Sequence, residues 1–344
     1  MGDLLGDVLK QVSRSFYLSL AVLPSSLRSP IGLAYLFARA ADTIADSRLI
    51  EREIRITNLD ALRSELDSPV PGRLANIVSA ATGPQRIPAE RMLLERLADC
   101  FCIYRALQPF DRERVRALLM TITDGMIHDL RVFPGENEGK LAALESLEEL
   151  DHYTYAVAGC VGEFWTRLHV AHRPRFARWE VGEMSRLGVR FGKGLQMTNV
   201  LRDLSHDLRI GRCYLPRHEL GAIGLSPEDL LDPANLARLK PLLRQLLGLT
   251  LGHYQAGWAY TIAVPRLEWR TRLACAWPLL IGLKTLVLIA RAENLLDPSV
   301  TVKISRQEVY RLLAYSALLV GSDRGLSGFY QRLYDQARAL VAEA

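Results

Sequence analysis

The sequence predicts an all-α fold, and three observations carry that prediction. Leu and Ala dominate the apolar share while β-branched residues are modest, a balance that favours helix over strand. Apolar residues recur at three- and four-residue intervals, punctuated by Pro, Gly and Asp, as amphipathic helices require. Strict two-residue alternation, the mark of a half-buried strand, is scarce.

The periodicity places helices at roughly 3–22, 29–46, 50–67, 72–82, 88–106, 110–132, 146–171, 178–208, 235–262, 265–293, 305–319 and 325–342. Two loops stand out, Phe133–Gly139 and the long segment Ile210–Pro233, which holds Pro216, Gly221, Gly224 and Pro227. Loops of that length are often lids or binding loops. No linker composition and no internal repeat divides the 344 residues, so a single all-α domain over 1–344 is expected, with a monomer as the simplest assembly.

Of these residues 49% are hydrophobic and 24% charged, with a formal net charge of +5. That is a globular composition with a mild bias toward anionic partners. Lys and Arg are dispersed among acids and never form a block of five, which argues against nucleic acid. The five cysteines, at 100, 102, 160, 213 and 275, are irregularly spaced with no CxxC. They fit neither a disulfide framework nor a zinc site, and the expected compartment is reducing and cytoplasmic. Cys100 and Cys102 read as small core residues on different faces of one helix. The N-terminus does not read as a signal peptide. The most apolar stretch, Ala274–Ala290, is interrupted by Lys284, so no transmembrane anchor is expected, only a greasy pocket helix or one touching a membrane surface.

Two segments carry candidate chemistry. In Ser29–Asp46, Ser29 reads as an N-cap and Pro30 as the first helical residue. At about 100° per residue, Tyr35, Arg39, Asp42 and Asp46 share a stripe about 60° wide. Nearly everything else on that helix is apolar, which suits a buried helix lining a polar cavity rather than a surface helix with a broad polar face. In Gly188–Asp207, Gln196, Asn199, Asp203 and Asp207 share a stripe about 80° wide. Taken alone, that helix reads equally as an ordinary amphipathic one. Repetition tips the balance: both segments carry two Asp at i and i+4 with a polar residue before them. Paired oxygen ligands suit a hard cation, Mg²⁺ above all, which takes one or two carboxylates plus substrate phosphates. A diphosphate so held is a good leaving group, and the carbocation left behind needs an apolar, dry cavity.

These residues resemble the squalene/phytoene synthase family along nearly the whole chain. The likeness rests on Ser13-Arg14-Ser15-Phe16 with the stretch from Tyr35 to Asp46, on Asp151–Gly162 around Tyr153, and on Gln196–Asp207 with the tail Gly211-Arg212-Cys213-Tyr214-Leu215-Pro216. Val302-Lys303-Ile304 resembles the squalene-forming branch in particular. The resemblance implies the isoprenoid synthase class I helical bundle around a central apolar cavity. It implies head-to-head (1′–1) condensation of two farnesyl diphosphates to presqualene diphosphate, then NADPH-dependent reduction to squalene. The alternative is a phytoene or dehydrosqualene synthase without the reductive step. By that likeness Asp42, Asp46, Asp203 and Asp207 would hold Mg²⁺ (or Mn²⁺), and Arg14, Arg39, Asn199, Arg202 and Arg212 the diphosphate. Tyr153 would handle a proton or orient the diphosphate. Phe16, Tyr35, Val157, Phe164 and Gln196 would line the substrate pocket, and Lys303 with Arg306 would bind NADPH. Gly159 and Gly162, each costing about 1 kcal/mol in a helix relative to Ala, would admit a substrate chain or a neighbouring helix. A class I terpene cyclase and a non-catalytic helical assembly factor are the rival readings. The tail motif opposes the first and the intact Asp pairs oppose the second.

Overall fold

The computed structural model describes residues 4–13, 17–83, 85–133 and 140–343. Arg14 and Phe16, and most of the Phe133–Gly139 loop, lie outside the described residues. Helices account for nearly all the regular structure. The chain opens with a π-helical turn Leu4–Val8 and continues through α1 (Leu9–Ser13), α2 (Tyr17–Val22), α3 (Ser25–Ala45), α4 (Arg52–Asp67) and α5 (Arg73–Thr82). Next come α6 (Pro88–Glu95), α7 (Leu97–Ala106), α8 (Pro109–Val132) and α9 (Leu147–Thr154). A π-helical turn, Tyr155–Gly159, leads into α10 (Cys160–His172), α11 (Val181–Arg202) and α12 (Leu204–Arg209). The last five are α13 (Arg217–Ala222), α14 (Leu236–Ala263), α15 (Trp269–Arg291), α16 (Arg306–Leu319) and α17 (Asp323–Glu343).

The helix count exceeds the expectation because periodicity cannot see short breaks. The span 88–106 divides at Arg96, and 178–208 divides at Asp203. Both residues sit near φ −100° and ψ 10° (−101°/16° and −95°/7°), a conformation that bends a helix without reversing the face of the next turn. The span 146–171 is interrupted by the π-helical turn, and 3–22 is split between α1 and α2. The start of α3 is a further correction. The helix begins a full turn before Ser29, after Pro24, so Pro30 lies inside it. Leu27, fully buried one turn before Pro30, explains why the earlier start wins. The long loop 210–233 contains β2 (Arg212–Cys213), α13 and a 3₁₀ turn, Glu228–Leu231. β2 pairs in parallel with β1 (Ala142–Ala143), the two short strands the helical reading left out.

Two large apolar cores form, one around α11, α14, α15 and α17, the other around α3, α4, α7 and α8. α11 runs between them, packing on α14 and α10. That packing is unusually close. A Cβ built on Gly162 would lie 2.0 Å from the carbonyl carbon of Gly188, and one on Gly192 would lie 2.3 Å from the Ala158 oxygen. The glycines of this interface therefore admit a neighbouring helix. Helix α15 with its leading turn, Arg266–Arg291, is long and apolar enough to cross a membrane, but 67% of its most apolar window is buried inside the fold. Cys100 is buried in the core as expected, whereas Cys102 is exposed.

Candidate active site

The C-terminal end of α3 and the bend from α11 into α12 deliver the four aspartates to one cavity of about 450 Å³. Asp42 lies in the last turn of α3 and Asp46 caps it, its N–H donating to the Asp42 carbonyl at 2.9 Å. The buried Arg55 guanidinium donates to the Ala45 carbonyl at 2.8 Å and fixes this helix end. On the opposite wall the bend at Asp203 keeps the helical ladder: Asp203 N–H donates to Asn199 O and Asp207 N–H to Asp203 O, both at 2.9 Å. Asn199, Asp203 and Asp207 therefore stay one above another despite the break.

Cations line the same chamber. Arg39 donates through Nη1 to Asp42 at 2.5 Å and through Nη2 to the buried Glu90 of α6, which Gln85 also contacts at 3.1 Å. The Arg39 Nε is buried with no partner among the described residues. Arg202 pairs with Asp203 at 2.8 Å through Nε. Arg212 reaches Asp46 at 3.7 Å and Asp129 of α8 at 3.3 Å. Burial, then the charge of Asp46, pushes the Asp42 carboxyl up to about 7 against the pull of Arg39. Burial and Asp203 push Asp207 to about 7 as well. Burial and the neighbouring carboxylates outweigh the arginines that would hold these two ionised.

A divalent ion is the natural remedy, and the donor set fits it: oxygen ligands only, paired on facing walls. Among the described residues no three His, Cys, Asp or Glu side chains are close enough to hold one ion together. Each ion would thus take one or two carboxylates and complete its shell with phosphate oxygens and water.

Tyr153, at the end of α9, stands on the chamber wall. Its hydroxyl accepts from Gln196 Nε2 at 3.1 Å. Asn199 in turn donates to Gln196 at 3.2 Å. The ring stacks on Tyr214 with centroids 4.6 Å apart, and the Tyr214 hydroxyl donates to Asp129 at 3.0 Å. Burial, followed by the charge of Asp129, raises the Tyr153 phenol well above its ordinary range, so it keeps its proton.

Beneath the polar chamber lies an apolar one, also of about 450 Å³, lined among others by Tyr35, Val157, Phe164, Trp165, Phe191 and Tyr260. Arg39, Asp42, Met126, Val157, Gln196 and Asn199 belong to the walls of both. The structure thus brings together every described candidate except two. Lys303 and Arg306 line neither chamber. Val302 and Ile304 pack on the core, and Lys303 between them faces outward, as does Arg306 at the start of α16. Asp129, Tyr214 and Glu90 are site residues that sequence reasoning missed. Tyr214 sits inside the tail motif, but Asp129 and Glu90 lie among other acids on α8 and α6, and no spacing singles them out.

A model of the squalene/phytoene synthase family matches residues 9–308. The chain belongs to that family. Among curated members of the squalene/phytoene synthase family, the presqualene diphosphate synthase of Zymomonas mobilis is 30% identical over 248 residues, covering 71% of this chain and 70% of that one. The squalene synthase of Saccharomyces cerevisiae is 26% identical over 297 residues, 86% of this chain but only 63% of the yeast protein's length. The solved structure of TcSQS with the ligand BPH1237 superimposes with a TM-score of 0.76 at 23% identity, over 99% of this chain and 96% of that one. The helical isoprenoid synthase fold of this family is therefore the fold observed.

Proposed function

We propose that this chain joins two molecules of farnesyl diphosphate head to head into presqualene diphosphate. One observation carries the reading: a chamber of five aspartates and three arginines opens directly onto an apolar chamber, and six residues belong to both walls. A diphosphate fits the first and an isoprenoid tail the second, with the scissile C–O bond at the shared boundary.

Asp42, Asp46, Asp203 and Asp207 would hold Mg²⁺, which when bound neutralises charge on the departing diphosphate. Arg39, Arg202 and Arg212 present guanidinium forks to phosphate oxygens, the geometry best suited to them. When the C1–O bond breaks, its electron pair leaves with the diphosphate and an allylic cation remains. The wall around Tyr35, Val157 and Phe164 excludes water from it, and the aromatic faces stabilise positive charge. The double bond of the second substrate supplies the electron pair for the new C–C bond. Loss of a C1 proton then closes the cyclopropane. That proton passes to the diphosphate, which Tyr153 orients by donating its retained hydrogen.

Reduction to squalene needs NADPH, for which Lys303 and Arg306 were the expected contacts. Lys303 and Arg306 are exposed and line neither chamber, so no hydride step is derived from them. A chain that stops at presqualene diphosphate has the printed name of the 30%-identical relative in its favour. Mass spectrometry of products from farnesyl diphosphate and Mg²⁺, with and without NADPH, tests both halves. Presqualene diphosphate under both conditions supports the proposal as stated, and squalene only with NADPH extends it to the reductive reaction. Dehydrosqualene moves the chain to the non-reductive alternative. A cyclic C15 product, or no diphosphate release, refutes the condensation.

A further inference from the structure

The apolar chamber has a depth that its walls fix twice. Asp42 of α3 and Asn199 of α11 stand on the walls of both chambers, and the apolar lining on the same two helices runs back to Ile31 and Gly188. Each pair is eleven residues apart, so both helices give a depth of about 16 Å. An extended chain gains about 1.2 Å per bond. A farnesyl tail, with twelve carbons in its main chain, therefore reaches about 13 Å, and a geranylgeranyl tail, with sixteen, about 18 Å. The first fits, and the second overshoots by about 2 Å.

Trp165 of α10 and Tyr260 of α14 close the far end, with Cys275 of α15. Both rings are held from behind. The Trp165 indole stacks on the His169 imidazole, one turn further along α10, with centroids 4.9 Å apart. His169 is fully buried and neutral. Its Nδ1 donates to the Trp165 carbonyl at 2.8 Å, which leaves Nε2 to accept from Thr271 of α15 at 3.2 Å. Tyr260 donates to Thr166 Oγ1 at 3.0 Å, because Thr166 gives its own hydrogen to the Gly162 carbonyl at 2.8 Å. The Tyr260 ring packs against Trp179 and Phe191, with centroids 5.2 and 6.3 Å away.

Such a floor resists a longer tail. Swinging the indole aside breaks its stacking on His169, and His169 is itself tied to α15. A tail about 2 Å too long must therefore overpack the end of the chamber. The depth behind the indole is equally defined. His169 lies four residues beyond Trp165, about 6 Å deeper along α10, and one further isoprene unit adds about 5 Å to a tail. Removing the indole thus clears a depth that matches that unit.

We propose that Trp165 sets the length of the prenyl tail this chain accepts, admitting a C15 tail and turning away a C20 one, with His169 holding the indole in place. The inference rests on the proposed reading that a prenyl tail occupies the apolar chamber, and it adds the residue that selects among such tails. Trp165 acts here by shape alone, and His169 is a positioning residue that meets the tail only through it.

The test measures binding before turnover. Affinities of the uncleavable farnesyl and geranylgeranyl thiodiphosphates, with Mg²⁺, are read by isothermal titration calorimetry on the full chain and on Trp165→Ala. Wild type should favour the farnesyl analogue about 10- to 100-fold, the range that overpacking of this size implies. Trp165→Ala should shrink that preference by about tenfold. Given mixed farnesyl and geranylgeranyl diphosphates, it should also release condensation products longer than C30, which wild type does not. Trp165→Leu keeps an apolar contact for His169 and should shift the preference the same way by less, so it serves if the alanine variant fails to fold. Equal binding of both analogues by wild type, or a preference unmoved in the folded variants, overturns the inference and leaves the proposed reaction standing. Binding of neither analogue instead overturns the proposed reaction, and the length limit with it.

Discussion

Gly162→Ala tests how the chambers are held together. Its Cβ would lie 2.0 Å from the carbonyl carbon, 2.1 Å from the oxygen of Gly188, and 2.6 Å from the Val189 nitrogen. All three are backbone atoms, so no side chain can rotate away. Ordinary carbon contacts need about 3.5 Å, so α10 and α11 must separate by about 1.5 Å. Overpacking of this kind costs on the order of 3 kcal/mol, which in a chain of this size lowers the melting temperature by about 5 °C. The shift also moves Gln196, Asn199 and Asp203, which ride on α11 or at its end, and misplacement by about 1 Å costs about 100-fold in rate. Gly188→Ala, whose Cβ meets the Gly162 oxygen at 2.9 Å, should cost less. Gly248→Ala, inside α14 with nothing within 4 Å, should stabilise by about 0.5–1 kcal/mol. Thermal melts by circular dichroism and a diphosphate-release assay read both effects. A Gly162→Ala protein with wild-type melting and turnover would refute the close-packing argument.

Further predictions concern charge. Asp207→Asn should reduce diphosphate release about 1,000-fold or more, yet above pH 7 the metal-free variant should melt higher than wild type, because its Asn lacks the ionisation that burial and Asp203 oppose. A lower melting temperature there would contradict the electrostatic account. Glu90→Gln weakens the hold on Arg39 from α6 and should cost about tenfold in kcat/KM; unchanged kinetics would remove Glu90 from the site. Burial holds the fully enclosed His169 imidazole down to about 4. Its folded value lies below the unfolded 6.5, so stability is present above that pH and drains away as pH falls from 6.5 to 4, by about 3 kcal/mol in full. Urea unfolding of wild type and His169→Gln should therefore converge as pH falls; a constant gap would show that His169 is not buried neutral.

Much of the site was legible because it repeats. Two Asp at i and i+4 on two helices share a face wherever the helix starts, so the misplaced start of α3 left Tyr35, Arg39, Asp42 and Asp46 together. The bend at Asp203 was invisible to periodicity, yet harmless, because the hydrogen bonds through Asn199, Asp203 and Asp207 continue across it. Glu90 and Asp129 were not legible. Each is one acid among others on its helix, and its meaning comes from a partner far along the chain, Arg39 in one case and Arg212 with Tyr214 in the other. The Gly162–Gly188 contact was half legible: a costly glycine announces close approach, but only packing says what approaches. The short strands escaped because two residues carry no alternation to detect.

The most direct test is a crystal structure with Mn²⁺ and the uncleavable analogue farnesyl thiodiphosphate, in which anomalous density locates the metal. Manganese at Asp42, Asp46, Asp203 and Asp207, bridged by the diphosphate, with the farnesyl tail beside Val157 and Phe164, is the predicted result. Metal bound elsewhere, or a tail lying outside the apolar chamber, would contradict the account.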